Sequence, residues 1–203
     1  MGIGGKVKKA IFLDRDGTIN KLKFNQDLNE LEPPHCPEDF EMIEGAVEAI
    51  KNLQRNDFLL FVISNQPDHA KGKTTIDKLQ DVHKEFERQL AASGIEISGF
   101  YYCYHHPNGI VKDYSFDCDC RKPKPYFANK VIDEYNINRT ASWFVGDRES
   151  DIICGKLAGL NTAFLTEGQE KLKAELNEDI NASNLLEAVE GILKYNIKGI
   201  CQQ

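Results

Sequence analysis

Residues Ala10 to Thr18 read Ala-Ile-Phe-Leu-Asp-Arg-Asp-Gly-Thr: an apolar run that stops abruptly at two carboxylates, Asp14 and Asp16, with a glycine directly after them. The apolar half predicts a buried strand. Its charged end, closed by a turn residue, places two acids where α/β folds bind ligands, in the crevice beyond the carboxyl ends of the strands.

Outward from this stretch, short apolar runs alternate with helical patterns. Ala10–Asp14, Phe58–Ser64, Gly99–Tyr104, Trp143–Asp147 and Thr162–Thr166 read as buried strands. Between and after them, Gly45–Gln54 repeats Ala46, Val47, Ala49, Ile50 and Leu53 on one helical face, and Ile76–Leu90 repeats Ile76, Leu79, Val82, Phe86 and Leu90. Tyr126–Tyr135, Asp151–Ala158 and Leu185–Lys194 continue the series. Strand and helix in alternation predict an α/β fold, a Rossmann-like parallel sheet with helices on both faces. Two segments break the rhythm and are expected to be long functional loops: Lys21–Phe40, with Pro33, Pro34 and Pro37, and His105–Pro125. Gly2, Gly4 and Gly5 precede a strand instead of following one and form no dinucleotide fingerprint.

The chain has 203 residues, enough for one substantial core, so a single domain over 1–203 is expected. A formal net charge of −7 disfavours a nucleic-acid partner, since only the local cluster Arg121, Lys122 and Lys124 offers phosphate contacts. No apolar run approaches the roughly 20 residues needed to span a bilayer. The run after Lys8 and Lys9 is too short for a signal peptide, and Lys6 stands where a myristoylation motif has Ser or Thr. A cytoplasmic monomer without a membrane partner is the expectation.

Four predicted strand ends or loops carry polar groups in chain order: Asp14 and Asp16; Ser64 and Asn65; Arg121 and Lys122; Gly146, Asp147 and Asp151. Parallel strands bring such groups to one edge. A carboxylate is ionised at neutral pH yet needs charge compensation to approach an anionic phosphate, which a divalent cation and a lysine supply. Asp151 has two readings, support of that site or a favourable acid in the first turn of a helix.

Cys103-Tyr104-His105 and Cys118-Asp119-Cys120 are two pairs of soft ligands with one residue inside each. In extended chain such neighbours point to the same side, so the pairs can close one tetrahedral Cys₃His zinc site with no open position. The predicted insert covers about 103–120, with His106 as the alternative to His105 and a disulfide as the competing use of the thiols. Cys36, Cys154 and Cys201 read as ordinary thiols.

The four polar ends resemble the signature motifs of the haloacid dehalogenase superfamily. The resemblance implies a phosphatase without a large cap domain, using Asp14 as nucleophile, Asp16 as acid and base, and Lys122 as charge stabiliser. Ser64, Asn65 and Gln66 would bind phosphate, and Mg²⁺ would be held by Asp14, the Asp16 backbone carbonyl and Asp147. The Cys-Arg-Lys-Pro-Lys-Pro run and the insert resemble, within that superfamily, the heptose 1,7-bisphosphate 7-phosphatases of bacterial surface-glycan precursor synthesis and the related histidinol-phosphate phosphatases. In that case Arg121 would bind a second phosphate. The segment after Asn20 is longer than those enzymes usually have and lacks their His-Gly-Tyr run, and Pro67-Asp68 stands where they show Ser-Gly. A small phosphorylated metabolite is therefore the expected partner. Histidinol phosphate or another sugar phosphate is the alternative substrate, and a zinc-stabilised binding module is the non-enzymatic reading.

Overall fold

The computed structural model describes residues 8–27, 29–166 and 177–200; Gly2, Gly4, Gly5 and Cys201 lie outside them. Among the described residues, the strands β1 (Lys9–Leu13), β4 (Phe58–Asn65), β5 (Gly99–Cys103), β6 (Trp143–Gly146), β7 (Asn161–Leu165) and β8 (Ile180–Ala182) form one sheet in the order β5-β4-β1-β6-β7-β8. Every pairing in it is parallel. The chain winds outward from β1 on one side through β4 and β5, then returns to β6 and winds the other way. Strand order therefore reverses between β1 and β6, the switch point at which such sheets open a crevice.

The helices α1 (Ala46–Arg55), α2 (Ile76–Ala92) and α5 (Leu185–Ile200) contribute to the core on one face, and α3 (Tyr126–Tyr135) and α4 (Glu149–Leu157) to the core on the other. Alternation along the strands assigns each residue its side. Ile11 and Leu13 of β1, with Trp143 and Val145 of β6, join the first core; Ala10 and Phe12, with Phe144, join the second. There Phe12 stacks between Phe61 and Phe144, with centroids 5.6 and 6.2 Å away. Burying each such ring stabilises the fold by about 1.5–3 kcal/mol.

The predicted strands and helices are all present, with ends shifted by a residue or two except at α5, which extends to Ile200. Two elements go beyond the expectation. Lys21–Phe40 is not simply a loop: β2 (Lys23–Asn25) and β3 (Glu30–Glu32) form an antiparallel hairpin in it, followed by a short 3₁₀ turn at Pro37–Asp39. Its alternation is hidden because Phe24 and Leu31 pair on an exposed face, so no hydrophobic period marks it. The edge strand β8 is only three residues long, too short for a periodic signal. Among the described residues, no helix is long and apolar enough to cross a membrane.

Candidate active site

Asp14 follows β1 directly, and its backbone N–H donates to the Val145 carbonyl of β6 at 3.0 Å. That bond ties the first carboxylate to the switch point. Carboxylate oxygens of Asp14, Asp147 and Asp151 lie within 4.8 Å of one another, and all three residues are buried. Lys122, 3 % exposed, enters the cluster from the loop after β5. Its Nζ lies 2.8 Å from Asp14 Oδ1 and 2.7 Å from Asp151 Oδ1, and donates to the Ile63 carbonyl at 2.7 Å. Gly17, at φ +85°, takes the left-handed turn that lets the chain pass the Asp147 carboxylate, and a Cβ there would collide with it.

Three acids and one ammonium leave an unequal distribution of charge. Burial would raise Asp14, but the Lys122 ammonium overrides it and holds that carboxyl below its usual value. Lys122 is itself raised, because Asp14 and Asp151 outweigh the cost of its burial. Asp147 is pushed up to about 7 by burial and by the neighbouring Asp14 and Asp151 charges. Burial likewise lifts Asp151 to about 6, against the pull of Lys122. Asp14 Oδ1 and Asp151 Oδ1 are buried and both face a cation, the Lys122 ammonium, at 2.8 and 2.7 Å. A carboxylate set that resists ionising together, with such oxygens, fits a hard divalent cation.

Asp16 is held apart from this cluster. Its Oδ1 accepts from Arg15 Nη2 at 2.8 Å and Asn20 Nδ2 at 3.0 Å, and its Oδ2 accepts from Gln66 Nε2 at 2.6 Å. Arg15, 1 % exposed, also donates to Gln66 Oε1 at 2.9 Å and lies over the Tyr102 ring. Gln66 in turn reaches Ser64 Oγ at 3.1 Å. Gln66 therefore braces Asp16, while Asp14, Asp16, Ser64, Asn65, Lys122 and Asp151 line a cavity of about 160 Å³.

The opposite wall of that cavity comes from the hairpin and from the loop after β4: Glu30, Leu31, Glu32 and Pro33 face Asp68, Lys71 and Lys73. Lys73 pairs with Glu30 at 2.5 Å and also with Glu32, and His35 Nε2 lies 2.8 Å from Asp68 Oδ2. Lys73 and Asn25 hold the Glu32 carboxyl down at about 2. A second cavity, of about 690 Å³, is lined by Thr18, Leu31, Glu48, Asp147 and Ser183 among others, so Leu31 borders both spaces. Lys71, Lys73 and Arg148 line the smaller cavity without having been singled out from sequence. Arg148 follows the expected Asp147, and that adjacency was the available signal.

The Cys103, His105, Cys118 and Cys120 ligand atoms also cluster. Cys118 Sγ lies 3.5 Å from Cys103 Sγ and 3.4 Å from Cys120 Sγ, and His105 Nδ1 lies 3.4 Å from Cys120 Sγ and 3.9 Å from Cys103 Sγ. A tetrahedron with bonds of about 2.3 Å to sulfur and 2.0 Å to nitrogen has edges of roughly this length, so the four atoms fit one zinc ion. His106 Nδ1 instead accepts from Asn108 N at 3.1 Å. Beyond the last ligand the Arg121 guanidinium donates to the His105 carbonyl at 3.3 Å and does not border the smaller cavity. The Asn65 side chain meets the Lys122 backbone twice: Nδ2 donates to its carbonyl at 3.1 Å, and Oδ1 accepts from its N–H at 3.0 Å.

A family profile described as HAD-hydrolase-like matches residues 119–190. The D-glycero-beta-D-manno-heptose-1,7-bisphosphate 7-phosphatase of Pasteurella multocida is 34 % identical over 194 residues, covering 96 % of this chain and 99 % of its own. Its namesake from Vibrio cholerae is 37 % identical over 158 residues, covering 78 % and 81 %. Among solved structures, a D,D-heptose 1,7-bisphosphate phosphatase from B. bronchiseptica, complexed with magnesium and phosphate, superposes with a TM-score of 0.75 at 24 % identity over 92 % of this chain and 99 % of that one. A protein of the same description from Burkholderia thailandensis gives 0.62 at 22 % identity over 92 % and 99 %. These two likenesses establish the shared fold. With 34 % identity to a relative that it spans almost end to end, the chain belongs to the D-glycero-beta-D-manno-heptose-1,7-bisphosphate 7-phosphatase family of HAD-like phosphatases.

Proposed function

We infer that the protein removes the 7-phosphate of D-glycero-D-manno-heptose 1,7-bisphosphate through an aspartyl-phosphate on Asp14. The observation that carries this reading is the buried set of Asp14, Lys122, Asp147 and Asp151 at the β1/β6 switch point, beside a cavity lined by Ser64. Asp14, kept ionised by Lys122, attacks phosphorus as the ester P–O bond breaks. Asp16 gives its proton to the departing sugar oxygen, then takes one from the water that attacks the acyl phosphate, releasing inorganic phosphate and restoring Asp14. Lys122 neutralises charge on Asp14 and the phosphoryl oxygens, and Ser64 orients the phosphoryl group. Mg²⁺ would be held by Asp14, Asp147 and the Asp16 carbonyl, and would supply charge compensation for the in-line displacement. Cys103, His105, Cys118 and Cys120 would hold a structural Zn²⁺ with no open position.

Histidinol phosphate is the second reading: Glu30, Glu32 and Asp68 on the cavity wall, though paired with Lys73 and His35, are the acids that would meet its amine. Phosphate release in Mg²⁺ from heptose 1,7-bisphosphate anomers, hexose bisphosphates and histidinol phosphate separates the two. Selective heptose turnover is expected. Preference for histidinol phosphate would move the assignment, and no release from any of them would leave the binding module.

A further inference from the structure

Asn65 belongs to the strand-end group expected to hold phosphate, yet both ends of its amide are engaged elsewhere. It forms a two-point clamp on the Lys122 backbone, donating at 3.1 Å and accepting at 3.0 Å, as a neighbouring strand would. On its other side Asn65 is in register with Cys103, the last residue of β5 and part of the Cys₃His cluster. Lys122 lies two residues beyond Cys120 of that cluster. The lysine belongs to no helix or strand, so its backbone is held from two directions, by the Asn65 amide and by the cluster. The side chain that results is 2 % exposed and reaches Asp14, Asp151 and the Ile63 carbonyl together. A shift of about 1 Å in the backbone would break at least one of these three contacts, since hydrogen-bonded geometry weakens steeply with distance and angle.

We propose that Asn65 is a positioning residue, which acts by fixing the backbone of Lys122 and so the placement of its ammonium against Asp14. The inference rests on the phosphatase reading, and it assigns Asn65 no contact with substrate. Zinc binding and the Asn65 clamp then serve one purpose, keeping a lysine on irregular chain at a fixed point over the switch.

A double-mutant cycle tests it: wild type, Asn65→Ala, Lys122→Met and the double variant, assayed for kcat and KM on the best substrate of the panel. Turnover by wild type and its loss in Asp14→Asn establish the phosphatase reading independently. Asn65→Ala is expected to lower kcat by about 10- to 100-fold with KM changed less than about 2-fold, and to lower it by less than about 2-fold in the Lys122→Met background. An undiminished loss in that background, or an unchanged kcat in the single variant, overturns the proposal. Calorimetric binding of inorganic phosphate in Mg²⁺ supplies a readout that needs no turnover. In the Lys122→Met background, Asn65→Ala is expected to change that affinity by less than about 2-fold, whereas a further loss of about 10-fold or more there would mark a direct phosphate ligand and overturn the positioning role. Zinc content and thermal melting show whether the variant is folded; if it is not, Asn65→Asp, which keeps the acceptor for the Lys122 N–H, carries the same cycle.

Discussion

At the residue scale, what matters is which charge stands beside which. Asp14 and Asp147 lie in one cluster yet shift in opposite directions, because the Lys122 ammonium touches the first and two carboxylates crowd the second. Asp14→Asn keeps the shape and removes the proposed nucleophile. Its turnover is expected to fall at least about 1,000-fold with an unchanged circular dichroism spectrum, and near wild-type turnover would exclude Asp14 as the attacking group. That Asp14, Asp16, Lys122 and Asp147 come to one edge of the sheet was legible in the sequence because each sits at a strand end or beside a ligand motif, where local pattern predicts position. Arg15 was not. It stands between two acids in sequence, and its partners show only when Gln66, far away in sequence, arrives to share it with Asp16. Arg121 marks another limit of such reading: its neighbours Cys120 and Lys122 fix its backbone, but the direction of its guanidinium is decided by the His105 carbonyl.

At the scale of elements, two additions to the sheet shape the site by different means. The Cys₃His cluster was readable because ligand chemistry demands two pairs of soft donors, and those are visible as spacing. Burial lifts the Cys103 and Cys120 thiols, so ion binding must displace protons and weakens as pH falls. Cys118→Ser is expected to reduce bound zinc well below one equivalent and to lower the melting temperature; full zinc retention would show that Cys118 is dispensable to the site. The hairpin was unreadable because it is held by ions instead of a hydrophobic face: Lys73 pairs with Glu30 and Glu32, residues more than forty positions away. Lys73→Met should cost about 1 kcal/mol of global stability, since Lys73 and Glu30 are partly exposed and the buried Glu32 keeps its hydrogen bond from Asn25. Its main effect is expected as faster amide exchange over residues 23–32 and a raised KM. Unchanged exchange there would mean that the hairpin does not depend on the lysine.

On the scale of the whole molecule, the two cores share one sheet, so heat should unfold it in a single transition whose calorimetric and van't Hoff enthalpies agree. Charge at the switch point should also govern how stability responds to pH. With Asp147 at about 7 and Asp151 at about 6 in the folded state, both above the ordinary 3.8, the folded chain binds more protons than the unfolded chain across that interval. Without divalent metal, stability therefore falls as pH rises from about 5 to about 7, and Mg²⁺ should offset the fall. Melting temperatures in chelator and in Mg²⁺ from pH 5 to 8 check this, and a flat chelator series would contradict it. The parallel sheet and its reversal at β1 followed from alternating runs, whereas the pairing of so short an edge as β8 needed the rest of the sheet to exist first. One feature links chemistry of very different kinds. Cys118 and Cys120 stand four and two residues before Lys122, so an oxidant that joined those thiols would expel the proposed zinc and loosen the lysine. Peroxide would thus silence a phosphatase whose own reaction involves no sulfur, and a thiol reductant with fresh zinc would revive it.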